Sequence, residues 1–148
     1  MIIETLKILF SRDLNKLKKE IESYQNENAI WAIDKKIANS AGNLCLHLAG
    51  NLNTYIGAHL GNTGYIRNRD LEFSLQDIPK SELIRKIEAT LVVVETTLGK
   101  LTNEQLAAEY PAMVFEHKTS TLYFLIHLST HLSYHLGQIN YHRRLLDT

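Results

Sequence analysis

Residues 120–146 read STLYFLIHLSTHLSYHLGQINYHRRLL, with no proline and a single glycine, Gly137. Thr119 or Ser120 supplies an N-cap, and Arg143 and Arg144 fall in the last turn, where cations favour the negative end of the helix dipole. A stretch capped only at its two ends predicts one long helix, and an apolar chain segment of that length commits the fold to helix packing.

Moving outward, Glu109-Tyr110-Pro111 closes a short helical turn through Ala108 that Thr102 and Gln105 open at capping-box spacing. Pro79 and Ser81 announce another helix, with Leu83, Ile87, Leu91, Val94 and Leu98 on one face and an end near Gly99. The charged stretch Tyr65 to Asp77 reads as an ordered connection across one end of the fold. Ser40 caps a helix through Leu44, His47 and Leu52 toward His59, which Gly61-Asn62-Thr63-Gly64 stops. The first helix carries Ile3, Leu6, Phe10, Leu14, Leu17 and Ile21 at spacings of three and four, and the Asn-rich Gln25 to Asn28 interrupts it. The expectation is an all-α protein, one domain over residues 1–148, with four long helices in a four-helix bundle and a short extra helical turn. The connections Tyr65 to Asp77 and Gly99 to Lys118 are long enough for crossovers.

With 148 residues and 45% hydrophobic content the chain can bury one core, and seven Gly and two Pro leave little turn chemistry for hairpins. Sixteen basic side chains balance sixteen acidic ones, so no positive field attracts phosphate backbones or anionic lipid; no nucleic acid and no membrane are expected as partners. No apolar run approaches the roughly 20 residues that span a bilayer. Met1-Ile2-Ile3-Glu4 lacks the positive start of a secretory signal, and the lone Cys45 fits a reducing compartment, so the expected location is cytoplasmic. Cys45 reads as a small buried hydrophobe.

His127, His131 and His135 recur every fourth residue on the last helix, and neighbours one turn apart can chelate one ion. Gln138 and His142 lie within about 20° of His131 around that helix, so a polar line runs along a face that is otherwise core. Asn43, His47 and Asn51, with Thr54 close by, draw a matching line on the second helix. Burying such groups unpaired costs about 1–3 kcal/mol each, which a metal, water or ligand between two facing walls would offset. The competing reading is a set of ordinary hydrogen-bonded histidines on partly exposed faces.

His131-Leu132-Ser133-Tyr134-His135-Leu136-Gly137-Gln138-Ile139 resembles the last-helix motif of the DinB-like superfamily. The segments Leu46 to Leu52 and Arg67 to Phe73 are similar to a small branch of it, so the resemblance covers nearly the whole chain. It implies a four-helix bundle with a divalent metal, often zinc or nickel, at one end, and His47, His131 and His135 fall at the ligand positions. In that register His127 is not a ligand. His59, about 120° around the helix from His47, and His117, ahead of the last helix, face elsewhere. Some relatives are thiol-dependent transferases or isomerases, so a low-molecular-weight thiol is a candidate cofactor.

A tri-histidine site leaves coordination positions open, the mark of a catalytic rather than a closed structural centre. The expected function is a metal-dependent hydrolase or thiol S-transferase acting on a small molecule. Asn51, Tyr134 and Gln138 are candidates to orient that substrate, with Arg67 and Arg69 to bind an anion or, alternatively, to fix their own loop against Asp70 and Glu72. The sequence designates no general base and no catalytic side chain beyond the ligands. The alternative class is a non-catalytic small-ligand-binding or interaction protein, a homodimer among the possibilities.

Overall fold

The computed structural model describes residues 1–148 and is all-helical. Helix α1 spans Ile2–Ser23, and after a 3-10 turn at Glu27–Trp31 helix α2 begins at Ala41. The Ser40 hydroxyl caps α2 by accepting from the Asn43 amide at 3.1 Å. This helix is regular through Leu52, loosens into a π-helical segment at Asn53–Ala58, and tightens for a last turn at His59–Gly61. Asn62, in the left-handed region at φ 51°, terminates it. Three further helices follow: α3 at Arg69–Ser74, α4 at Lys80–Lys100 and the short α5 at Asn103–Ala107. The predicted Thr102–Gln105 capping box is formed at the start of α5. Helix α6, Thr121–Leu146, is capped by Ser120.

Four long helices, α1, α2, α4 and α6, surround one continuous apolar cluster to which each contributes. Phe10, Leu17 and Ile21 of α1, Leu48 and Leu52 of α2, Leu83 of α4 and Leu125 of α6 are fully withdrawn from water. Each such side chain contributes about 1.5–3 kcal/mol of burial. Helix α1 packs on α4 and α6, and so does α2, which leaves α1 and α2 on opposite sides of the core.

Polar contacts fix the directions. Ser11 meets Glu95 and Lys18 meets Glu88, so α4 runs antiparallel to α1. Glu20 takes hydrogen bonds from Asn140 and Arg143, and Asp147 accepts from the amides of Gln25 and Asn26, so α6 runs parallel to α1. Asn53 donates to Thr90, while Tyr55 packs on Phe124 and His47 on His131, which makes α2 parallel to α4 and antiparallel to α6. The order is up, down, down, up.

Two consecutive parallel helices require their connection to return the full length of the molecule. Residues 62–79 make that return alongside α2, passing Gly57 with Thr63, Gly50 with Glu72 and Asn43 with Leu75. This segment therefore runs along a helix instead of across one end as the sequence suggested. The connection between α4 and α6 stays at one end, where Tyr110 stacks on Phe124 and donates to the Tyr55 carbonyl at 2.5 Å. No helix is long and apolar enough to cross a membrane.

Candidate metal centre

His47 sits mid-way along α2 and is buried, facing His131 and His135 across the seam with α6. Nε2 of His131 lies 3.3 Å from Nε2 of His47 and 3.1 Å from Nε2 of His135. One ligand atom from each imidazole falls within 4.8 Å of the others. Both Nε2–Nε2 separations are short enough for one small ion to contact the two rings of each pair.

Proton placement makes the same point. Nδ1 of His47 lies 3.1 Å from Glu72 Oε1 and 3.3 Å from Arg67 Nη2, whose own protons go to Glu72; donation from Nδ1 to the nearer carboxylate puts the His47 lone pair on Nε2. Nδ1 of His135 donates to Gln138 Oε1 at 2.7 Å, with the same consequence. His131 Nε2 faces both lone pairs and has one proton at most, so the three rings cannot satisfy one another. A cation among the three Nε2 atoms would resolve the conflict, and a set of three imidazoles suits a divalent transition metal.

Burial favours the neutral, ligating form of His131 and His47. His131 is pushed down to about 4, first by burial and then by the neighbouring His135 and His47. His47 is lowered by burial, an effect that Glu72 opposes.

Glu72, on α3, which the sequence reading named only as a loop-fixing partner for the arginines, is a buried carboxylate of the site. Arg67 holds it with a fork, Nε to Oε2 at 2.8 Å and Nη2 to Oε1 at 2.9 Å. Burial works against the Arg67 charge, and the Glu72 carboxylate outweighs it. Asn43 ties the same helix to α2 by donating to the carbonyls of Glu72 at 3.0 Å and Leu75 at 2.8 Å. A carboxylate that accepts from a ligating histidine orients the ring and raises its basicity. Gly50 makes the approach possible: a Cβ there would stand 1.9 Å from Glu72 Oε2.

Each other candidate has a definite place. Asn51 is buried, and its Oδ1 has no protein partner; the same holds for Thr54 Oγ1 and for His131 Nδ1 on the facing helix. Gln138 orients His135, and Tyr134 lies exposed with its ring edge-on to that imidazole at 5.2 Å. Arg67 is engaged with Glu72, as in the loop-fixing reading, while Arg69 is exposed over the Phe73 ring at 5.1 Å. Phe73 in turn packs on His47, with ring centroids 5.0 Å apart.

The remaining histidines serve elsewhere. His127 packs against Phe115 and Phe124, His117 stacks on Phe115, and His59 meets the Tyr110 hydroxyl. His142 is buried between the Tyr24 hydroxyl at 2.6 Å and the Ala32 carbonyl at 2.8 Å. The polar line on α6 therefore divides between a metal-type cluster and a separate structural hydrogen-bond pair. Cys45 is wholly buried, and its thiol is pushed up to about 12 by that burial, so it is no nucleophile at neutral pH.

A cavity of about 390 Å³ opens beside His135, bounded by Lys36, Leu44, Tyr134 and Gln138. A second, of about 360 Å³, lies behind Glu72 between Gly50, Leu71 and Thr90, and none of the three converging imidazoles lines it.

No curated protein matches the chain. A family defined from sequence does match, over residues 3–148, and it carries the description "Protein of unknown function (DUF1572)". Covering almost the entire sequence, including every residue of the histidine cluster and the Glu72–Arg67 pair, that match shows that the chain belongs to the DUF1572 family.

Proposed function

We propose that this protein is a DinB-like four-helix bundle that binds Zn²⁺ or Ni²⁺ through His47, His131 and His135, and acts on a small molecule as a hydrolase or thiol transferase. The observation that carries the reading is the convergence of three Nε2 atoms, two of them with lone pairs fixed by Glu72 and Gln138. Supporting it are the His47, His131-x-x-x-His135 and Gly137-Gln138-Ile139 landmarks of the resemblance. The up, down, down, up order of the long helices supports the single-crossover form of the bundle.

A divalent ion at such a site lowers the pKa of a bound water to about 7 or deprotonates a bound thiol. The chain's own residues define the rest. Glu72 is held on one side by Arg67 and on the other by His47, so it orients a ligand and does not serve as a free base. Three imidazole ligands would leave coordination positions open, and the cavity beside His135 gives a small molecule access to them. Tyr134 and Lys36 at its rim are the groups available to bind the outer end of a substrate.

The test begins with metal analysis of protein prepared without a histidine tag. One Zn²⁺ or Ni²⁺ per chain, lost in His47→Ala and His131→Ala with helix content intact, supports the site. A protein that takes up neither ion when supplied refutes it. A thermal-shift screen of thiols and thiol conjugates, with and without added metal, then separates the two reactions: metal-dependent stabilisation by thiols favours transfer over hydrolysis.

A further inference from the structure

Two of the three converging imidazoles have a side chain on their far nitrogen, Glu72 for His47 and Gln138 for His135. His131 has none, and its Nδ1 is buried without a protein partner. When Nε2 of His131 offers its lone pair to an ion, the ring proton sits on Nδ1, and a buried N–H is very seldom left unpaired. No buried carboxylate is free to take that proton: Asp13 and Glu72 are held by Arg12 and Arg67.

The facing wall of α2 carries two acceptors in the same condition. Asn51 is only 7% exposed, and its Oδ1 and the Oγ1 of Thr54 are buried without a protein partner. Thr54 departs from the habit of helical threonines. The hydroxyls of Thr5 and Thr90 donate to the carbonyl one turn back, that of Thr90 to Lys86 at 2.7 Å, whereas Thr54 makes no such bond.

Helix register brings these groups to one level of the seam. His47 packs on His131 and Tyr55 on Phe124, so Asn51 and Thr54, which lie between His47 and Tyr55, face the stretch of α6 from Phe124 to His131. Nε2 of His131 is turned to His47 and His135, and His127 stacks on the ring face at 6.3 Å, so the Nδ1 edge meets neither. One donor and two acceptors complement a single water, which accepts from Nδ1–H and donates one proton each to Asn51 and Thr54. Three hydrogen bonds is the usual number for a buried water.

We infer that Asn51 is the positioning residue of His131, acting together with Thr54 through one buried water. The inference rests on the proposed metal site and completes its outer shell, so that each ligating ring is oriented through its far nitrogen. It also withdraws Asn51 from the substrate-orienting role expected from the sequence, since Asn51 borders neither the cavity beside His135 nor the one behind Glu72.

Crystals of the full chain grown with and without Zn²⁺ test the inference separately from the metal site, because ion and water belong to different nitrogens of His131. Density for one water within about 3.2 Å of Asn51 Oδ1, Thr54 Oγ1 and His131 Nδ1 is expected in both. Its absence from both overturns the inference, whether or not an ion occupies the three Nε2 atoms. Competition titration of Zn²⁺ gives the second readout. Asn51→Leu keeps the side chain's size, removes its acceptor and should weaken binding about 10–100-fold at unchanged helix content. Asn51→Asp keeps an acceptor oxygen and should bind at least as tightly as the wild type, whereas a side chain that only filled space would tolerate leucine better than aspartate. Thr54→Val should lose less than Asn51→Leu, because the water keeps two of its three partners, and it keeps the test valid if the leucine variant folds poorly. An Asn51→Leu protein that binds as tightly as wild type overturns the inference, as does an Asn51→Asp protein that binds no better than Asn51→Leu.

Discussion

Gly50→Ala should make α2 a better helix and the metal centre a worse one. Position 50 is interior to α2, where replacing Gly by Ala is worth about 1 kcal/mol in helix propensity. The new Cβ would lie 1.9 Å from Glu72 Oε2 and 2.6 Å from its Cδ. Restoring ordinary contact at 3.4 Å requires the carboxylate to retreat by 3.4 − 1.9, about 1.5 Å. Glu72 has no slack for that movement, because Arg67 grips both oxygens and His47 donates to one of them. The displacement takes the His47 contact out of bonding range and frees the ring to rotate. Losing an outer-shell partner of this kind lowers metal affinity about 10–100-fold, or roughly 1.4–2.8 kcal/mol.

A competition titration of Zn²⁺ against a chromophoric chelator reads that loss directly, and the route is tested by a double-mutant cycle with Glu72→Ala. If Gly50 acts through Glu72, adding Gly50→Ala to Glu72→Ala changes affinity no further, and the alanine then shows its propensity gain as higher stability. Additive losses of affinity, or a Gly50→Ala protein that binds as tightly as wild type, would refute the reasoning.

Removing Glu72 alone strands Arg67 in a largely buried position; Glu72→Ala should cost about 3 kcal/mol in urea unfolding, and Arg67→Ala/Glu72→Ala should recover part of it. Acid should destabilise the metal-free protein. His131 is held near 4 in the folded state against an ordinary 6.5, so between those values the unfolded chain binds more protons and stability rises with pH, reaching its full value above 6.5. Unfolding midpoints that fall steadily as pH drops through that window agree with this, and midpoints that rise oppose it. His142→Leu should lower stability by about 1–3 kcal/mol by stranding the buried Tyr24 hydroxyl, with Zn²⁺ affinity unchanged, whereas His131→Ala should abolish binding at nearly constant helix content. Parallel losses of affinity in both would show that the two histidine clusters are not independent.

The helices were legible in the sequence because period, caps and stops agree there: Ser40, Ser120 and the Thr102–Gln105 pair each occupy the cap that their spacing announced. The π-helical stretch at Asn53–Ala58 was not, since nothing in its composition separates it from a continued α-helix. The converging histidines could be read from their four-residue spacing and from resemblance together. Glu72 could not. Its partner His47 lies 25 residues away, and a carboxylate between Arg69 and Phe73 reads equally well as a surface ion pair. His142 misled for a related reason: angle around a helix says which face a residue shares, and not how far along the helix its own partners wait.

Chain topology explains why the outer shell of the centre comes from the crossover. Because α2 and α4 run the same way, residues 62–79 have to travel the length of α2, and α3 lies across the mid-point where His47 sits. Ordering each of those residues costs about 1–2 kcal/mol of backbone entropy, and the segment's apolar packing is limited to Phe73 against His47 and Ile78 against the core, while Ile66, Leu71 and Leu75 are exposed. Its attachments are instead polar and concentrated at one place, Asn43 on two carbonyls and Glu72 on His47. A structural connection would be expected to anchor by apolar contacts spread along its length. Here the anchors cluster at the level of the three imidazoles. The crossover should therefore be the first part of the protein to loosen when His47 is replaced, and amide exchange in residues 66–75 of His47→Ala should accelerate while α1 and α4 stay protected. Uniform acceleration across all helices would mean that His47 supports the whole core, and unchanged exchange in 66–75 would mean that Asn43 alone suffices to hold the segment.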